Sequence, residues 1–147
     1  MRFYFKPDLF VILITAMSVI LVSYLWSSAG PVTGIGFWVA VIVTLFMAWF
    51  VAKMPIYTYL DEDIIRVQQL IGNMTFRRSQ VTLKRLTERD MDGLIRSFGS
   101  GGLGGYIGYF QNARLGRFYM LAISRKDLAL VSNVEGKQFV IHFPPQN

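Results

Sequence analysis

Hydrophobic residues follow two different rhythms along this chain. From Leu9 to Trp26, and again from Ile35 to Ala52, apolar residues run on without a single charge. A helix of about 18–20 such residues is long enough to cross the hydrocarbon core of a bilayer. From Pro55 onward the pattern breaks into short runs rich in Ile, Val, Tyr, Phe and Thr, separated by turn residues, which is the signature of strands. The chain therefore reads as a transmembrane hairpin over residues 1–54, with spans at about 9–27 and 35–52, followed by a β domain over residues 55–147. The fold class expected is an α+β membrane protein.

The strands predicted are 56–60, 64–71, 74–78, 81–86, 94–98, 106–110, 117–123, 128–132 and 138–143. Segment 81–86 is ambiguous, because Leu83 and Leu86 also fit a helical period. In the last strand Phe139, Ile141 and Phe143 alternate with Gln138, Val140 and His142, which puts the sole histidine on the other face from the aromatics. Closely spaced strands with short turns point to a barrel or sandwich.

The linker between the spans, Ser27 to Gly34, carries no charge, and Gly30-Pro31 marks a turn. Arg2, Lys6 and Lys53 flank the other ends, so the positive-inside rule puts both termini in the cytoplasm of an inner-membrane, multi-pass protein. Trp26 and Trp38 fall near the outer interface, and Trp49, Tyr57 and Tyr59 near the inner one. Ser27-Ser28-Ala29 has the small-residue look of a signal-peptide cleavage site, but the apolar run is long for a signal core and a second span follows at once. Gly36, Ala40, Thr44, Ala48 and Ala52 recur at every fourth position of the second span. Such a stripe of small side chains marks a helix-packing face, toward the first span or toward another protomer. Neither span holds an ionisable group, which argues against transport by this chain alone.

Charge and composition narrow the classes of function. Residues 53–147 hold thirteen basic and eight acidic side chains, most of the net +6 of the whole. A basic domain held beside a bilayer is drawn to anionic headgroups. Membrane lipids are therefore the expected partners and nucleic acid is not. Lys53, Arg77, Arg78, Lys84 and Arg85 are the candidates for contact with the membrane surface. Without cysteine there is no thiolate site, and one histidine with no neighbouring ligand gives no metal site. The acidic groups Asp61-Glu62-Asp63 and Glu88, Asp90, Asp92 read as solvated turns rather than acid–base pairs. No catalytic residue and no cofactor is expected.

The densest local signal is the run from Arg96 to Gly108, Arg-Ser-Phe-Gly-Ser-Gly-Gly-Leu-Gly-Gly-Tyr-Ile-Gly. Gly99, Gly101 and Gly104 match G-x-G-x-x-G in form, but a strand rather than a helix follows, so the dinucleotide reading fails. Two readings stay open. The amides of Gly99, Gly101, Gly102, Gly104 and Gly105, flanked by Arg96, Arg114 and Arg117, form a cradle for a phosphate headgroup. Alternatively, the glycines permit a bend and bulges while the arginines are solvated.

This run, together with Leu115-Gly116-Arg117-Phe118 and Arg125-Lys126-Asp127-Leu128, resembles the bacterial pleckstrin-homology (PH-like) domain family. The resemblance implies a bent β barrel or sandwich of about seven strands, often behind two N-terminal transmembrane helices. It implies no particular activity, since PH-like domains bind lipids, peptides or proteins. Such domains usually end in a helix that plugs the barrel, whereas Pro144-Pro145-Gln146-Asn147 follows the last strand here and cannot form one. A neighbouring protomer, a partner membrane protein or the membrane is then expected to cover that end. The functional expectation is a non-enzymatic interaction domain at the cytoplasmic face, or else a structural subunit of a homo- or hetero-oligomeric assembly.

Overall fold

A computed structural model describes residues 1–144. A short strand, β1 (Arg2–Tyr4), comes first and leads into two helices, α1 (Leu9–Ser28) and α2 (Ile35–Ala52). Both helices are long and apolar enough to cross a membrane, with a mean hydropathy of 2.4 each. Only 6% and 11% of their apolar windows are buried, so they are not core helices of the described fold. Most of their aliphatic hydroxyls are bonded within the helices. Thr15, Ser18, Ser23 and Thr44 each donate to the carbonyl four residues back, the arrangement that makes a polar side chain tolerable in lipid.

The helices pack antiparallel through the upper part of the small-residue stripe. A Cβ on Gly36 would stand 2.9 Å from the Ala29 carbonyl oxygen, Ala40 is buried, and Thr44 accepts a hydrogen bond from the Trp26 indole at 3.0 Å. Lower down, Ala48 is exposed, so the close contacts with the first span come from the upper half of the stripe.

Nine strands follow the helices: β2 (Pro55–Leu60), β3 (Ile64–Gln69), β4 (Asn73–Arg77), β5 (Val81–Leu86), β6 (Ile95–Gly101), β7 (Tyr106–Asn112), β8 (Gly116–Ala122), β9 (Leu128–Asn133) and β10 (Gln138–His142). Each coincides with a predicted run to within two or three residues at either end. Segment 81–86 is a strand, because all six of its residues pair with β9. Two features differ from expectation. β1 pairs with β2, Phe3 opposite Thr58, so the residues before the first span belong to the β domain. The described residues also form ten strands rather than about seven, in sheets ordered β1-β2-β3-β4 and β5-β9-β10-β8-β7-β6. Within the larger sheet β8 and β10 run parallel, because β9 skips a position that β10 then fills.

The larger sheet is buried on both faces through its middle. One face packs Ile107, Leu121, Val131 and Ile141 against Ile65, Val67 and Phe76 of the smaller sheet. The other curls over Tyr106, Phe110, Phe118, Met120 and Val140. The foot of each helix enters one of these cores, Phe50 of α2 the first and Val11 of α1 the second. The expectation that no capping helix follows the last strand falls largely on residues 145–147, outside the described residues.

Candidate functional site

The glycine run builds the junction between helices and sheets. Within the β6–β7 hairpin Gly99 lies directly opposite Gly108. Both have positive φ, +123° and +133°, and a Cβ on either would stand 2.2–2.3 Å from a carbonyl oxygen across the strands. Only glycine allows backbones to approach so closely. The bulge between Arg96 and Phe98 adds local twist. This much fits the bend-and-bulge reading.

At the tip of the hairpin the glycines meet the helices. Gly102 lies under Ile14 of α1, whose side chain would stand 3.0 Å from any Cβ there, and Gly104 lies 3.4 Å from the backbone of Phe50 and Val51 by the same measure. Thr15 pins the contact. Its hydroxyl accepts a hydrogen bond from the Gly104 amide at 3.1 Å and donates to the Val11 carbonyl at 2.7 Å. The Gly102 amide donates to the Gly105 carbonyl. The amides of Gly102 and Gly104 are thus spent inside the protein and do not point at an external anion. Gly101 stands beside Arg96, and a Cβ on Gly105 would strike the Ala122 carbonyl oxygen at 2.6 Å.

The three arginines of the headgroup reading do not converge. Arg96 runs along β6 toward Gly101. Arg117 stacks over Tyr109 at 5.0 Å. Arg114 lies in the β7–β8 turn, at the far end of β7 from the glycines, 3.8 Å from Asp90. That carboxylate caps a short 3-10 turn, Glu88–Met91: hydrogen bonds from the Thr87 amide and hydroxyl, both 2.8 Å, hold it below the usual carboxylate range.

The surface cations divide in the same way. Lys53 follows α2 with its ammonium 5.2 Å over the Trp49 ring, a cation–π contact. Arg77 and Arg78 lie at the opposite end of the β3–β4 hairpin from its tip, where the Arg78 amide donates to the Asp63 carbonyl. Lys84 and Arg85 sit on β5, and Arg85 stacks over Phe143 at 5.1 Å. Near the foot of α1, Arg125 belongs to a loop that sequence reasoning passed over as a surface element. Its amide donates to the Asp8 carboxylate at 3.0 Å.

Between α2 and the sheet runs an open groove of about 180 Å³, with Phe46, Trp49 and Phe98 on its walls and Gly99 and Gly108 on its floor. Phe98 is 70% exposed and Trp49 63%. Its chemistry is apolar with one cation, Lys53, at the rim. Among the described residues no cluster of acidic, histidine or cysteine side chains is able to hold a metal ion.

His142 is built into the frame. Its Nε2 accepts from the amides of Ile123 at 2.9 Å and Ser124 at 3.2 Å, and Phe5 stacks on the ring at 4.3 Å. Burial pushes its pKa down to about 4. The alternation of the last strand predicted the face on which it lies, but not that this face is also covered. No protein-family model, curated protein or solved structure matches the chain.

Proposed function

We propose that this is a non-enzymatic membrane protein, in which a helical hairpin in the cytoplasmic (inner) membrane presents a PH-like interaction domain at the cytoplasmic face. The observation that carries the reading is the division of labour along each helix. The outer sides are apolar and exposed, while the feet supply Val11 and Phe50 to the two β cores. Exposed apolar faces of that size need lipid around them. Pairing of β1 with β2 keeps the first residues on the same side as the β domain, in keeping with Arg2, Lys6 and Lys53 flanking the spans. Cleavage after Ala29 would remove β1 and Val11 from the fold, so α1 is retained as an anchor. The apolar groove beside Lys53 favours lipid as the ligand.

A second reading is a structural subunit of an assembly. Its support is Ala48, a small residue of the stripe left exposed on α2, where a neighbouring helix is able to approach closely. The membrane reading is tested by floating full-length protein with liposomes after an alkaline wash. Retention with the lipid supports it. Protein left in the aqueous layer overturns it.

A further inference from the structure

The depth at which the β domain sits follows from the lengths of the helices. α1 leaves the glycine seat at Thr15 and α2 enters it at Phe50. The free parts, 15–28 and 35–50, rise only about 21 and 24 Å at ~1.5 Å per residue. The hydrocarbon core is about 30 Å thick. A domain hanging wholly beneath the bilayer would leave the hairpin short by about 6–9 Å, and tilt would worsen the shortfall.

Two further observations fall in that missing depth. Below Thr15, α1 turns Val11 and Ile14 toward the domain but keeps an apolar outer face, with Leu9 71%, Ile12 50% and Leu13 53% exposed. On the other side, the tip of the β3–β4 hairpin is bonded to the foot of α2. The Ile71 amide donates to the Ala52 carbonyl at 2.8 Å and the Leu70 amide to the Met54 carbonyl at 2.9 Å. This tip carries two branched aliphatics, 54% and 67% exposed, where turns ordinarily carry polar residues. Lys53, beside it with its ammonium over the Trp49 ring, is long enough to reach headgroups from inside the hydrocarbon boundary.

We infer that the β domain is sunk into the interfacial layer of the bilayer, with Leu70 and Ile71 inserted among the lipids beside the foot of α2. The inference rests on the membrane reading above and adds a second, hairpin-borne contact with lipid. The glycine seat and the bonds from Leu70 and Ile71 fix that hairpin tip to the foot of the helix, so lowering the helices to match the bilayer lowers the tip with them.

The chain has no cysteine, so single Ile71→Cys, Leu70→Cys, Ile42→Cys and Val134→Cys variants of the full protein in lipid nanodiscs each take one nitroxide. Ile42 lies mid-helix, and Val134, 84% exposed, follows β9 at the end of the sheet away from the helices. The readout is the ratio of collisions with oxygen to collisions with a water-soluble nickel chelate. The expected result is a several-fold higher ratio at 71 and 70 than at 134, approaching that at 42. If 42 reads as lipid while 70 and 71 read as water, the sunken domain is overturned and the hairpin anchor stands. Labels at 70 and 71 shielded from both reagents also overturn it, since a protein would then cover the tip. If 42 itself reads as water, the membrane reading fails first.

Discussion

Thr15 and Gly104, eighty-nine positions apart, are joined by a hydrogen bond from the Gly104 amide to the Thr15 hydroxyl at 3.1 Å. One lies within an apolar span and the other at the tip of a glycine-rich hairpin. The bond makes the glycine run a seat for the helices.

Thr15→Val keeps the shape of the side chain and removes the acceptor, leaving the Gly104 amide unpaired in a half-buried contact. Such a loss costs about 1–3 kcal/mol. Thermal unfolding in detergent is expected to shift down for Thr15→Val, with Thr15→Ser recovering most of the loss. Destabilisation by Thr15→Ser with Thr15→Val unchanged would mean that packing of the methyl group, not the bond, holds the seat.

The Gly99–Gly108 pair is expected to tolerate no side chain. Gly108→Ala would drive a Cβ to 2.3 Å from the Phe98 carbonyl oxygen, with backbone rather than a flexible side chain in the way. The variant should lose the folded state or most of its stability. Gly116→Ala, at φ +71° with open space around it, should cost only about 1–2 kcal/mol for the left-handed backbone. Comparable melting of the two variants would refute the close approach of β6 and β7.

His142 makes stability depend on pH. The folded ring stays neutral down to about 4, because burial outweighs the favourable backbone bonds and the carboxylates of Asp127 and Asp8, whereas the unfolded ring protonates below about 6.5. The contribution is full above about 6.5, is lost progressively as pH falls, and levels off below the folded pKa. Across that window it amounts to about 3 kcal/mol. Denaturant midpoints measured from pH 7 to pH 4 should fall accordingly, and His142→Gln should flatten that part of the profile. A slope unchanged by the substitution would assign it to the carboxylates.

The small-residue stripe gives opposite outcomes at its two ends. Gly36→Leu would meet the Ala29 carbonyl at 2.9 Å and should prise the hairpin apart, lowering the melting temperature at constant oligomeric mass. Ala48→Leu, at an exposed position, should leave the fold intact. A fall in mass in detergent for Ala48→Leu would identify α2 as the contact between protomers, and an unchanged mass would count against the stripe as that contact.

Much of the fold was legible because its periods are plain. Charge-free runs gave the helices, and short runs rich in β-branched and aromatic residues between turn signals gave nine strands, Val81–Leu86 among them despite its helical spacing. Arg2–Tyr4 escaped notice because three residues are too few to show a period and their partner strand begins beyond both helices. The glycines were legible as backbone that needs freedom, but the Gly99–Gly108 register and the seat under Ile14 are contacts across many intervening residues, which local pattern does not encode. Arg96, Arg114 and Arg117 looked like a cluster because they bracket one motif in sequence. Strand direction separates them, since Arg114 lies at the far end of β7. Leu70 and Ile71 carried a faint signal, as the predicted strand 64–71 is longer than the strand Ile64–Gln69 that forms.

A distance between two spin labels, one replacing Ile35 at the outer end of α2 and one replacing Val134, tests most directly whether helices and β domain form one seated unit in lipid. Both positions are 84% exposed, and the cysteine-free chain allows the pair to be labelled cleanly. In nanodiscs the distances should fall in a single narrow distribution, broadened by Thr15→Val. A broad, multimodal distribution in the unsubstituted background would show a domain swinging on a loose tether, contrary to the seat formed by Gly102, Gly104 and Thr15.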